Sequence, residues 1–316
     1  MADPSMITPG MKLHWAATHM GQLWQEMGTF VYARPYEITY ELDIEAPEYV
    51  FYVDRLQIPP PHWALLFGDF VHNLRAALDH LAYQLALRAK PGIDSDAKAS
   101  RRISFPIVDT PTEFKNAVKP ILNIGALRDE DRERIEELQP YNAQNVDIWG
   151  PAAFIPRPIP HYLRLIRDFD NADKHRLIKP VWYTVGNPYI PDFPEPYGTP
   201  TVGVLDGPLV GGAKVEIGRW TFDKAAPEDL PEDLNLYNCF PIEPRFEEYV
   251  AALFGDIAIL SGSLQLTMRH MQVTTESVLH MFAPAVVRGA TPLPAAQFDP
   301  ANMPQPGSSP PATTSP

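Results

Sequence analysis

Between Phe67 and Leu87 the chain reads FGDFVHNLRAALDHLAYQLAL, a run whose apolar residues recur at helical spacing. At about 100° per residue, Phe67, Phe70, Val71, Leu74, Leu78, Leu81 and Leu85 fall on one side of a helix. That stripe is wide enough to be the core-facing side of a bundle helix. The opposite side lacks the usual coat of lysine and glutamate. It carries His72, Asn73, Arg75, Asp79, His80, Tyr83 and Gln84, side chains that make directional hydrogen bonds and can hold or move protons. His72, Arg75 and Asp79 share one flank, within i, i+3 and i, i+4 reach of one another. Asn73, His80 and Gln84 share the other. A helix of this kind is either central to a core with a polar network or part of a site, and the remaining elements must be arranged around it.

The chain has 316 residues, enough to bury a substantial core in one large domain or two. Its formal net charge of −13 repels phosphate backbones on average, so nucleic-acid binding requires a locally basic cleft. Cys239 is the only cysteine, which excludes an internal disulfide and a cysteine-based zinc site. The opening MADPSMITPGMK lacks the charged-then-apolar pattern of a signal peptide. No apolar run approaches the ~20 residues that span a bilayer. A soluble, cytoplasmic protein with no membrane partner is expected.

Ahead of the central helix, Met11 to Val31 spaces Leu13, Met20, Leu23, Trp24, Met27 and Phe30 as a first helix. Tyr36 to Ile44 alternates apolar and polar, and Tyr49 to Ile58 is rich in β-formers, so the two are expected as an antiparallel hairpin. Pro59-Pro60-Pro61 stops the second strand, and Pro91-Gly92 ends the central helix. Ser104-Phe-Pro-Ile107 reads as a short extended piece. Thr110-Pro-Thr-Glu113 has the chemistry of a helix start. Ala126 to Leu138, with its alternating charges, reads as a mostly solvated helix ended by Gln139-Pro-Tyr141. Trp149 to Pro160 reads as an extended, proline-rich connector.

His161 to Lys179 is a second chemically informative helix. Tyr162, Leu163, Ile166, Phe169 and Leu177 share one face, and Asp173 falls in the middle of it. An unbroken helix therefore turns this carboxylate toward the core, where a partner is required; Arg75 or another basic group on the central helix is the expected one. If the helix instead breaks at Asn171, Asp173 caps a following turn. Val181–Val185, Thr201–Leu205 and Ala213–Phe222 read as three more strands, and Glu243-Pro-Arg245 as the opening of a long final helix whose apolar stripe runs from Phe246 to Met268. The predicted fold class is α+β, a four-helix-bundle core with a mostly antiparallel five-stranded sheet. Residues 1–282 are expected as a single domain. The segment 283–316, rich in proline, serine and threonine, is expected to be a disordered tail.

Glycine-rich phosphate loops, a GxSxG elbow and an HExxH helix are absent from the sequence. Arg75, Asp79 and His80 offer cationic, acidic and imidazole groups suited to general acid–base work on an anionic transition state. His72, Asn73, Asn171, Asp173, Lys174, His175 and Arg176 are the binding candidates around them. No cofactor is implied. Arg75-Ala-Ala-Leu-Asp-His80 resembles the R-x4-6-H pattern of the HEPN superfamily, helical-bundle proteins that include metal-independent ribonucleases of bacterial toxin and defence systems. The resemblance implies His80 as general base or acid at the 2′-hydroxyl and leaving oxygen, Arg75 stabilising the phosphorane charge, RNA as partner, and a homodimer whose two subunits share the site. The blocks HNLRAALDH and NADKHR, with SFPI between them, also resemble a group of bacterial proteins with no assigned activity.

Two other readings compete. Arg75, Asp79 and Asp173 can form a buried ion-pair network that fixes helix packing, making the chain a non-catalytic binding or structural module. Alternatively His72, Asp79, His80, Asp173 and His175 can act as metal ligands across two bundle helices.

Overall fold

The Phe67–Leu87 stretch lies inside a 28-residue helix, His62–Ala89, and each apolar position assigned to its core face is 0–1 % exposed. The computed structural model describes residues 6–43, 45–118, 127–142, 159–175, 178, 180–184, 190–191, 193, 197–204, 208–209, 214–223, 225–231, 234–240, 242–246 and 264–282. The main helices are α1 (Ile7–Tyr32), α2 (His62–Ala89), α3 (Pro111–Ala117), α4 (Asp129–Glu137), α5 (Ile159–His175) and α6 (Leu264–Phe282). The strands are β1 (Glu37–Asp43), β2 (Glu48–Asp54), β3 (Pro180–Thr184), β4 (Thr201–Val204), β5 (Pro208–Leu209), β6 (Val215–Thr221) and β7 (Ile242–Phe246). The fold is α+β. Of the expected proline-rich connector from Trp149 to Pro160, residues 149–158 lie outside the described residues, and Ile159 and Pro160 already belong to α5; the tail after 282 also lies outside the described residues.

α1 and α2 run antiparallel. Glu26, late in α1, accepts hydrogen bonds from the Trp63 indole at 3.1 Å and meets His62 at 2.5 Å, while Lys12, early in α1, reaches Asn73 at 3.3 Å. α5 and α6 pack against α2, and α6 also touches α1 and α5. Their shared interior holds Trp63, Phe67, Phe70, Tyr162, Phe169 and Met268. Phe67 meets Phe169 edge-on at 5.1 Å, a favoured geometry for two aromatic rings. Of the two courses open to α5, the unbroken one forms: the helix runs through Asn171 to His175.

The expected hairpin forms, antiparallel, with a register that runs from Glu37 opposite Asp54 to Asp43 opposite Glu48. The sheet around it differs from expectation. Five strands in one sheet are not what forms: among the described residues there is a four-stranded antiparallel sheet, β1-β2-β6-β4, and a separate three-stranded one, β5-β3-β7. Strand propensity identifies a strand without naming its partner, and Pro180–Thr184 pairs away from the hairpin. Glu243-Pro244-Arg245 is part of strand β7, not of a helix. Proline suits the first turn of a helix but is equally at home on a sheet edge, and β7 is an edge strand. Residues 247–263 of the expected final helix lie outside the described residues; α6 occupies the continuation.

The four-stranded sheet has its own core of Tyr49, Phe51, Val53, Ile217, Trp220 and Phe240. Phe51 lies 4.7 Å from Trp220 and 4.6 Å from Phe240 between ring centroids. Gly218 is required there, because a Cβ would come within 2.7 Å of the Phe240 ring and of the Gly203 carbonyl. Phe30 of α1 packs against both cores.

Thr110 and Glu113 form a reciprocal capping box at the start of α3. α4 is mostly solvated apart from Ile135, which joins the core, and Asp131, which is buried and takes the Arg88 guanidinium at 2.5 and 2.6 Å. This ion pair ties the C-terminal end of α2 to α4. Asp131→Ala strands a buried arginine and should lower the unfolding free energy by about 3 kcal/mol. Asp129→Ala, which removes a side chain 82 % exposed, should change it by less than about 0.5 kcal/mol. Urea denaturation of the two variants checks the contrast.

Candidate functional site

Residues 104–108 lie in the helical half of the molecule, with Phe105 and Ile107 in its core, and belong to no helix or strand. Buried peptide groups must still find partners, and here helix side chains supply them. Arg75 Nη2 donates to the Phe105 carbonyl at 2.7 Å, and Asp79 Oδ1 accepts the Phe105 N–H at 2.8 Å. Together they reproduce the two-bond exchange that a neighbouring antiparallel strand would offer. Arg75 also lies 3.2 Å from Asp79, so the two groups hold each other in register. The Phe105 ring is fully buried below them.

The grip continues along the segment. Gln139, fully buried after α4, accepts the Val108 N–H at 3.0 Å and donates to the Pro106 carbonyl at 3.0 Å and the Ile135 carbonyl at 2.8 Å. Arg167 of α5 donates to the Ile107 carbonyl at 3.3 Å and pairs with Asp109 at 2.9 Å and Asp168 at 2.8 Å. Burial pushes the Asp79 carboxyl above its ordinary range, against the pull of the Arg75 charge and the Phe105 N–H. One Arg75 nitrogen, Nη1, is buried with no hydrogen-bond partner among the described residues.

The remaining polar residues of α2 go to other neighbours. His72 Nδ1 lies 3.1 Å from the buried Asp170 carboxylate of α5, whose second oxygen takes Lys174 at 2.5 Å. Asp173 lies over Gly68, where any Cβ would collide with its carboxylate. Its nearest basic influence on α2 is His72 and not Arg75, which is engaged with Asp79 and Phe105. Burial raises the Asp173 carboxyl, the charges of Asp170 and Asp69 raise it further, and His72 opposes them. On the opposite flank, Asn73 donates to the Asp69 carbonyl at 2.7 Å and accepts from Lys12. His80 faces α1, within hydrogen-bonding reach of the Thr8 backbone, and burial followed by the Lys12 charge holds its imidazole below the ordinary range.

Arg75 and Asp79 therefore meet at Phe105, His72 joins the Asp170–Lys174 pair, and Asn73 and His80 turn toward α1. Asn171 and His175 are exposed at the end of α5, and Arg176 lies outside the described residues. Among the described residues no three histidine, cysteine, aspartate or glutamate side chains are placed to hold a metal ion. Burial pushes the Cys239 thiol up to about 11, so it carries little thiolate at neutral pH. No helix among the described residues is long and apolar enough to cross a membrane. Compared with known proteins, the chain matches no family model, no curated protein and no solved structure.

Two contributors are not evident from the sequence. Gln139 reads there only as the residue that ends a helix. The available signal was the Ser104-Phe-Pro-Ile107 piece itself, since an apolar extended segment with no strand partner needs polar side chains from elsewhere. Tyr162 and His270 form a buried hydroxyl–imidazole contact of 2.9 Å between α5 and α6. His270 follows no motif and becomes visible only once the two helices are packed.

The raised Asp173 carboxyl makes a testable statement about pH. A carboxyl whose folded pKa exceeds its unfolded value binds more protons in the folded state across the interval between them, so stability grows as pH falls through the folded pKa. Asp173→Asn removes that titration. The variant should melt at a higher temperature than wild type at pH 7, and its advantage should shrink as pH falls toward the ordinary value of 3.8. Thermal melts across that range check it; an advantage independent of pH would contradict the assignment.

Proposed function

We propose that this chain is a non-catalytic binding or structural module in which the polar side of α2 is architecture. The observation that carries the reading is the paired grip of Arg75 and Asp79 on the main chain of one residue, the carbonyl and N–H of Phe105. In this reading α1, α2, α5 and α6 act as a four-helix bundle, residues 1–282 work as one domain in the cytoplasm, and the side chains that give α2 the look of a site hold neighbouring segments in place. Each flank of α2 has a distinct client: the 104–108 segment and α5 on one side, α1 on the other.

A ribonuclease of the R-x4-6-H kind needs its arginine and histidine on one reachable phosphate. Arg75 is 17 % exposed and turned toward Phe105, whereas His80 is turned toward Thr8 and Lys12. Their directions favour the architectural role within one chain.

The test combines stability with activity. Arg75→Ala should lower the unfolding free energy by about 2–3 kcal/mol, the scale of a charged hydrogen bond with its stranded partner. Asp79→Asn, which keeps an acceptor for the Phe105 N–H, should cost less than Asp79→Ala. Purified protein should leave single-stranded RNA intact in the presence of a chelator. Cleavage under those conditions, abolished by His80→Ala with an unchanged melting temperature, would overturn the proposal in favour of the ribonuclease.

A further inference from the structure

The outward face of α1 has an unusual composition. Its exposed positions recur at alternating steps of four and three residues, from Ile7 through Met11 and His14 to Thr18, and on through Gly21, Gln25 and Gly28 to Tyr32. A second exposed row flanks them at Thr8, Trp15, Gln22 and Thr29. Neither row contains a charged residue. The helix has two formal charges in 26 residues, Lys12 and Glu26, and both are engaged by α2. Ile7, Met11, Trp15 and Tyr32 are 53–69 % exposed, which makes this helix the site of four of the eight large exposed apolar side chains among the described residues. A surface helix ordinarily turns its charges outward; this one does the reverse.

Glycine is unfavourable inside a helix, yet Gly21 and Gly28 lie on the exposed seam. A Cβ at either would meet nothing within 4 Å, so no described part of the chain requires the space. The steps 4-3-4-3-4-3-4 are those of a coiled-coil seam and read the same in both directions. Two such helices laid antiparallel about an axis between Thr18 and Gly21 match large side chains with small ones. Met11 meets Gly28 of the other copy, and Thr18 meets Gly21. Ile7 meets Tyr32, and His14 meets Gln25, a donor–acceptor pair. The partly buried residues beside the seam follow the same rule, with Gly10 opposite Val31 and Ala17 opposite Trp24. Interdigitation of large and small is what close helix packing requires, and here one sequence supplies both halves.

We infer that this face is a self-association surface on which α1 of a second copy of the chain docks antiparallel through a two-fold axis. Self-complementarity under reversal is the requirement of an isologous contact. Charge points to the same occupant: two chains of net charge −13 repel on average, and a face without charges is where that repulsion is least. At 1.5 Å per residue the helix is about 39 Å long. A face of that length, with Ile7, Met11 and Tyr32 on the seam and Trp15 in the flanking row, buries on the order of 1,000–1,200 Å² in total, the low end for a specific interface. An interface of this size belongs with weak, concentration-dependent association.

Sedimentation velocity of the full chain from about 1 to 200 μM should show a reversible shift from the 35.5 kDa monomer toward twice that mass. Thr18→Glu, at an exposed position beside the axis, should keep the circular dichroism and melting temperature of wild type while remaining monomeric throughout. The geometry has its own readout. The double variant Met11→Cys, Gly28→Cys should form a disulfide-linked dimer under oxidation, and neither single variant should; Cys239 is buried and out of reach. A wild-type monomer at every concentration, a dimer that Thr18→Glu leaves intact, or efficient cross-linking by Met11→Cys alone would each overturn the inference.

Discussion

The helical half of this protein depends on how the backbone of one segment outside helix and strand is satisfied. Residues 104–108 cross between helices with an aromatic ring pointing inward and no strand alongside, which would leave several peptide groups without partners. Arg75, Asp79, Gln139 and Arg167, from three directions, supply them. The segment is thereby converted into a strut, and the helices that contribute the side chains are fixed relative to one another through it. The cost of burying two charges on α2 is offset only because each contacts the other and the main chain of the same residue, Phe105.

Much of this was legible in the sequence, and the parts that were not share a cause. The seven apolar positions of α2, the existence of the hairpin and the helix start at Thr110 are local properties, written in periodicity and in the chemistry of a few neighbouring residues. The course of α5 was legible only in part, since its periodicity favoured an unbroken helix while Asn171 and Asp173 also allowed a break and a new cap. Strand partners were not: Pro180–Thr184 has the composition of a strand in either sheet, and nothing near it in sequence names 208–209 and 242–246 as neighbours. Pro244 misled because the residue type suits two incompatible settings. At the candidate site, the chemistry of Arg75 and Asp79 was visible, but its object was a main-chain group. Backbone leaves no signature in a sequence, so a side chain that binds peptide looks like one that binds substrate.

Carboxylates show the same ambiguity from the electrostatic side. Asp79 and Asp173 both have raised proton affinity for the same leading reason, removal from water. Perturbed carboxyls of this kind are a common mark of catalytic centres. Here each has a packing explanation: Asp79 answers a buried N–H, and Asp173 fills the space that Gly68 leaves open on α2. The glycine and the carboxylate are one device, a close helix crossing made with the acid of one helix lying over the bare backbone of the other.

The two hydrophobic cores meet at Phe30, whose ring packs edge-on to Trp63 at 5.3 Å and also touches the sheet side. In thermodynamic terms this ring contributes to the coupling free energy between two units that each have their own interior. When such coupling is large the units melt as one calorimetric transition; when it is small their transitions separate. The size of one aromatic side chain near the end of α1 thus bears on whether the protein behaves as one cooperative body or two.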